Sequence, residues 1–364
     1  MTKKSRLLGI DLCRGLAIYA VVLLHSGDET WNIPIDSQTI HFRLLFDFGV
    51  PFFLATSFYF MTAKPEIGIS PKFWKSRIER ILIVYGVWSG IYLISRISIF
   101  SLTRNYERLH QLLNDPLSLI YFGGASYHLY FLPLLFSGSL LMVVAPYFTK
   151  QKIGTRNLLL VTALSIVVYS IILDSGNAFQ LGPNIAFRQL LNFVKLDQNQ
   201  YPLIRLLLVQ ISWIIRCLPY FFIAISLHQL FLNSSLFKSH ILISSTFFII
   251  FIICNTFGWM LPRALNEVLL AYTLLIFGIS ISSYLKKSNV VSNLGICSYG
   301  IYLIHPFVMN IVKTILAKLS SYITDHISIL SVIILSISCF FLSWLIVVGL
   351  TKNKTIAKYA FGIS

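Results

Sequence analysis

The chain has 364 residues, of which 56% are hydrophobic and 12% charged, with a net charge of +16. Soluble domains carry about 25% charged residues, so a water-soluble fold is excluded, and the apolar content excludes a disordered chain as well. A basic balance this strong in a soluble protein would point to nucleic acid, but here the basic residues cluster in short loops between apolar runs, which points to a membrane surface and no nucleic-acid partner. The 29 Phe, 18 Tyr and six Trp suit membrane packing and interfacial belts. Cys13, Cys217, Cys254, Cys297 and Cys339 all fall in apolar segments with no metal-type spacing. They read as small buried hydrophobes, with neither disulfide nor metal.

In chain order, ten apolar segments are long enough to span a bilayer, and they predict an all-α, polytopic membrane protein, a bundle of about ten transmembrane helices. They lie near 7–27, 44–62, 78–99, 128–148, 157–173, 211–232, 240–257, 264–284, 296–317 and 329–350. The first begins like a signal peptide. Asp11 and Arg14 interrupt its apolar run and no small-x-small cleavage site follows, so it reads as a retained helix. No polar stretch is long enough for a second domain: 1–364 reads as one membrane domain, with a helical core over 7–350 and a cytoplasmic tail over 351–364. The longest loop, 174–210, is rich in turn formers and amides, and reads either as a functional loop or as a cover.

Basic residues set the orientation. Both termini and the loops 63–77, 149–156, 233–239 and 285–295, with Arg80 just inside the third helix, hold 17 of the 29 Lys and Arg residues. The opposite loops hold eight, balanced by eight acids. The positive-inside rule therefore predicts both termini in the cytoplasm, and an even helix count agrees.

An ionisable group inside a membrane is a functional hypothesis by default. The first helix carries Asp11, Arg14 and His25. Eleven residues are three helical turns plus about 20°, so Arg14 and His25 share a face about 16 Å apart along the axis. Asp11 lies one turn from Arg14. Together they form a polar stripe across most of the membrane, or else a structural Asp11–Arg14 pair and an interfacial histidine.

These residues carry a resemblance. The segment IDLCRGLAIYAVVLLH (10–25) is similar to the first helix of the acyltransferase family 3 membrane proteins, whose signature is a basic residue, ten intervening residues and a histidine; Arg14 and His25 match it. VPFFLATSFYF (50–60), FWKSRIERI (73–81), YHLYFLPLL (127–135) and CSYGIYLIHP (297–306) resemble further family segments in the same order. The likeness spans roughly 5–350. Thr56-Ser57 stands where the family has Ser-Gly, Tyr130 stands where it has Trp, and the proline after the Arg77/Arg80 stretch is missing.

The resemblance implies transfer of an acyl group, commonly acetyl, from cytoplasmic acyl-CoA to a hydroxyl of an extracytoplasmic glycan, such as lipopolysaccharide O-antigen or exopolysaccharide, or of a lipid-linked sugar, in a bacterial inner membrane. Acyl-CoA would be a co-substrate; no cofactor or metal is expected. His25 would act as base or nucleophile, and Arg14 would hold a carbonyl or phosphate. Asp47 would orient the imidazole or meet a helix dipole. Lys72, Lys75, Arg77 and Arg80 suit CoA phosphates or serve as ordinary cytoplasmic anchors. Ser57, His128, Ser298, Tyr299 and His305 are candidate cavity walls or helix-to-helix hydrogen bonds. The alternative is a glycan or lipid-precursor transporter or flippase, which would use the same stripe, although neither inverted repeats nor paired broken helices are visible.

Overall fold

The computed structural model describes residues 6–27, 35–150, 153–174, 187, 201–233, 240–319 and 327–363. Among the described residues the regular structure is helix, with no strand. Eight helical spans are long and apolar enough to cross a membrane: 37–62, 71–102, 155–173, 202–229, 241–260, 263–281, 289–319 and 329–350. The expected first and fourth spans are shorter helices, Leu8–Leu24 and Phe131–Val143. The protein is an all-α polytopic membrane protein.

Two boundaries differ from expectation. The helix expected to begin at 211 begins at Pro202. Residues 203–210 are mostly apolar helix formers, with Arg205 among them, and a proline at the first helical position costs no hydrogen bond. Of the long loop expected over 174–210, residues 175–186 and 188–200 lie outside the described residues, as do 151–152 and 234–239 of the expected basic loops. The expected tail contains a helix, Lys354–Phe361.

The chain divides into two compact units, residues 1–57 with 233–353, and residues 58–232 with 354–364. In the first, α1 (Leu8–Leu24) packs against α13 (Arg263–Ile281), α14 (Asn289–Leu319) and α15 (Ile329–Leu350), and α12 (His240–Phe257) packs on α13. Ala17, Ile18, Ala20 and Val22 of α1 are fully buried, whereas Leu12 and Leu16 on its other side are exposed. Helices in lipid gain from close backbone approach, which small residues allow. At the α1–α13 crossing a Cβ on Gly278 would stand 3.1 Å from Cys13 Sγ and 3.2 Å from the Gly9 carbonyl oxygen. The Gly9 N–H donates to Ser282 Oγ at 2.9 Å across the same contact.

Two helices follow α1. α2 (Ser37–Leu44) is capped by Asp36, whose carboxylate accepts from the Thr39 N–H and hydroxyl, both at 2.8 Å. A turn then leads into α3 (Gly49–Thr62), with Pro51 in the first turn, where its missing N–H is tolerated.

In the second unit α4 (Pro71–Arg77) runs through a π-turn, Ile78–Leu82, into α5 (Ile83–Leu102). Then come α6 (Tyr106–Leu113), α7 (Pro116–Tyr121), α8 (Phe131–Ser139), α9 (Ala145–Lys150), α10 (Thr155–Asp174) and α11 (Pro202–Asn233). Asp115 caps α7 and receives a two-pronged ion pair from Arg205 of α11, at 3.1 and 2.7 Å. The Arg205 guanidinium also lies over the Phe122 ring at 5.3 Å. The final helix, α16 (Lys354–Phe361), docks on α5: Trp88 Nε1 donates to the Ala360 carbonyl at 2.7 Å, and Phe361 is buried. Gly362, at φ +61°, ends it in the left-handed conformation that glycine adopts without cost.

Candidate active site

The first unit gathers a polar centre at the end of α1. His25 is the residue that closes the helix, and its N–H bonds back to the Val21 carbonyl at 3.2 Å. Its ring stacks on that of His305, with centroids 5.5 Å apart and planes 24° from parallel. These histidines lie 280 residues apart in sequence.

Pro306 explains how His305 is held. In an unbroken helix the N–H of residue 306 would bond to the Tyr302 carbonyl, but proline has none. The His305 Nδ1–H takes that carbonyl instead, at 2.7 Å, and His305 is fully buried. Because a carbonyl only accepts, the proton sits on Nδ1, and Nε2 is the basic nitrogen of this ring. The Cys339 thiol donates to the His305 carbonyl at 3.3 Å and ties α15 to the same turn. The His-Pro pair is thus a local device: the proline frees an acceptor and the histidine is oriented by it.

Towards the start of α1 the alternative of a structural Asp11–Arg14 pair meets a third residue. The spacing offered Arg14 as partner of Asp11, but the carboxylate is taken by Arg6, which bonds it through Nε and through Nη2 at 3.1 Å. Arg6 Nη2 also donates to the Ser292 carbonyl at 3.0 Å, which anchors α1 to α14. Asp11 is buried and committed to this contact. Arg14 Nε is buried and has no hydrogen-bond partner among the described residues. Leaving a buried donor unmade costs roughly 1–3 kcal/mol.

The other expected residues are dispersed. Asp47 is half-buried in the turn before α3, and Ser57 is half-buried on α3. Ser298 is fully buried, with its hydroxyl on its own helix at the Gly295 carbonyl (2.9 Å), while Tyr299 beside it is half-buried. In the second unit, His128 is buried in the turn before α8, where Nδ1 meets Ser126 Oγ at 3.1 Å and the ring lies edge-on to Tyr92 at 5.2 Å. Lys72, Lys75 and Arg80 are exposed. Arg77 is half-buried, bonded to Met61 Sδ and lying 5.4 Å from the Phe73 ring centroid. Arg80 sits in the π-turn, a form of helix frequent at functional sites.

Two arginines that the sequence presents only as charges outside the helices hold the two ends of α1. Arg6 claims Asp11, and Arg43 claims the last carbonyl of α1. The Arg43–Leu24 contact joins two helices, and Arg6 is fixed beside Asp11 by its second bond, to Ser292 on α14. No local sequence feature marks Arg43; the structure shows it in the space left by Gly27, two residues after His25.

Comparison with known proteins bears on what this arrangement does. A curated relative, an amino-acid racemase from Enterococcus faecalis, is 27% identical over 168 residues, which are 46% of this chain and 22% of the racemase. The chain therefore spans about a fifth of the length of that relative, and the likeness carries no activity across. No solved structure matches the chain. A family model described as an acyltransferase domain matches residues 7–348, nearly the whole chain. It covers the Arg14/His25 helix and the His-Pro turn together, and the chain belongs to the acyltransferase 3 family of membrane enzymes.

Proposed function

We propose that this membrane acyltransferase moves an acyl group, acetyl as the commonest case, from cytoplasmic acyl-CoA to a hydroxyl of an extracytoplasmic glycan or lipid-linked sugar. The protein would sit in a bacterial inner membrane with both termini in the cytoplasm. The observation that carries this reading is the His25–His305 stack at the end of α1, on the helix that also bears Arg14 with its open donor.

The step balances with these groups. The acceptor oxygen attacks the thioester carbonyl as the His25 imidazole takes its proton. The C–O ester bond forms and the C–S bond breaks. The proton then passes to the departing sulfur, leaving CoA thiol. Arg14 supplies charge and hydrogen bonds to the donor, as a planar guanidinium does well. The exposed Lys72, Lys75 and Arg80 suit the CoA phosphates by charge. The cost of leaving Arg14 Nε unsatisfied is recovered when a substrate completes it.

The test is purified full-length protein with acetyl-CoA and CoA. An acyltransferase releases free thiol from acetyl-CoA, and CoA raises its melting temperature. A carrier of glycan or lipid precursors does neither, and that outcome would overturn the reading.

A further inference from the structure

We propose that Arg43 is a positioning residue for His25, and that Gly27 exists to let it act. The inference rests on the reading of His25 as the reacting histidine. It starts from a problem at the end of α1. The last carbonyls of a helix have no intrahelical donor, and here the helix ends at the residue that must aim a ring. A loosely held end would let that ring wander.

Arg43 closes this end. Its guanidinium donates to the Leu24 carbonyl from Nε, at 3.0 Å, and from Nη2. Leu24 is the residue before His25, so the two bonds fix the peptide from which His25 hangs. A cation also suits the negative end of the helix dipole. Arg43 is itself held. It is buried in the last turn of α2, and α2 is pinned at its other end by the Asp36 cap on Thr39, which is also buried.

Gly27 completes the arrangement. A Cβ there would fall on the Arg43 guanidinium, against Cζ and both Nη atoms. Only glycine leaves room for the guanidinium to lie flat on the turn 25–27. Arg43 and Gly27 therefore interlock: one supplies the fork, the other the space. A lysine at 43 would bring charge to the same carbonyl but not two bonds from one plane.

The experiment compares wild type, Arg43→Ala, Arg43→Lys and Gly27→Ala, each as purified full-length protein. It reads thiol release from acetyl-CoA, and carbethoxylation of His25 by diethyl pyrocarbonate followed by peptide mass spectrometry. Misplacing a reacting group by about 1 Å costs on the order of 10²-fold in rate, so Arg43→Ala and Gly27→Ala are each expected to lower kcat by about that factor with KM for acetyl-CoA unchanged. Arg43→Lys is expected to recover part of kcat. The His25 labelling rate is expected to change in the same variants and in the same order.

Unchanged kcat and unchanged labelling in Arg43→Ala and Gly27→Ala would overturn the proposal, as would a raised KM with kcat preserved, which would make Arg43 a donor contact. Labelling does not depend on turnover. If wild type fails to release thiol, the acyltransfer reading fails, while the labelling series still decides whether Arg43 holds His25.

Discussion

Two arginines, one in each unit, differ in how their guanidinium groups are met. Arg205 is 4% exposed and fully employed: both prongs of its guanidinium meet Asp115 and its face lies over Phe122. Arg14 keeps a buried Nε with no hydrogen-bond partner among the described residues, although Asp11 stands one turn away. The first arrangement is complete without a ligand and fastens α7 to α11. The second lacks a hydrogen bond at Nε, because the Asp11 carboxylate makes its hydrogen bonds to Arg6. The Arg205 pair holds the fold together, whereas in the proposed mechanism the unmade Arg14 Nε bond is the one a donor would complete.

Substitutions on the two sides are expected to fail in different ways. The largest effect belongs to His25→Ala, which should lower thiol release from acetyl-CoA by about 10³-fold, the range of a lost general base, while its melting temperature stays near wild type. Arg14→Ala should follow, with a loss of about 10²-fold, the scale of one lost transition-state donor. Arg14→Lys should keep part of the activity, since it retains charge and loses the fork. A wild-type rate in the lysine variant would show that charge alone suffices.

The opposite signature is expected at the structural pair. Asp115→Asn leaves Arg205 without its counter-ion and should cost about 2 kcal/mol of stability, below the full penalty because 28% of the Asp115 side chain stays exposed. The folded fraction should keep its KM and kcat. Denaturant titration alongside kinetics checks both; an activity loss at unchanged stability would erase the contrast.

How much of this was legible follows from the range of each contact. The helices were, because ten apolar runs and their flanking charges are local features. The stripe on α1 was, because 3.6-residue geometry places Arg14 and His25 on one face without knowledge of any neighbour. The partners were not. Asp11 sits three residues from Arg14 and five from Arg6, and only the packing of α1 on α14, through the Ser292 carbonyl, selects Arg6. His305 was visible as a polar residue before a proline, but its stack on His25 joins segments 280 residues apart. Arg43 looked like one more outer charge, since nothing local shows that α2 folds back on the end of α1. Residues 203–210 read as loop from the sequence because Arg205 breaks their apolar run close to upstream turn formers, and only its pairing with Asp115 lets the helix begin at Pro202.

The smallest expected effect is at the far end of the Arg43 support. Hydrogen bonds from the Thr39 N–H and hydroxyl hold the Asp36 carboxyl below its ordinary range. A lowered folded-state value means that the cap contributes its full stability above the unfolded carboxylate pKa of about 3.9 and loses it as pH falls through the folded value. Asp36→Asn keeps a capping acceptor without the titration. Melting temperatures of wild type and Asp36→Asn should therefore converge as the pH is lowered through that window. A gap that stays constant with pH would remove Asp36 from the account.

The central claim is that acyl transfer to a glycan depends on His25 as the base, and mass analysis of the surface glycan tests it most directly. Cells carrying the wild-type chain, the His25→Ala chain at equal membrane abundance, and no chain are compared for acyl groups on the glycan. The account predicts acylated glycan with wild type alone. Equal acylation with His25→Ala, or a glycan that is the same in all three, would contradict it.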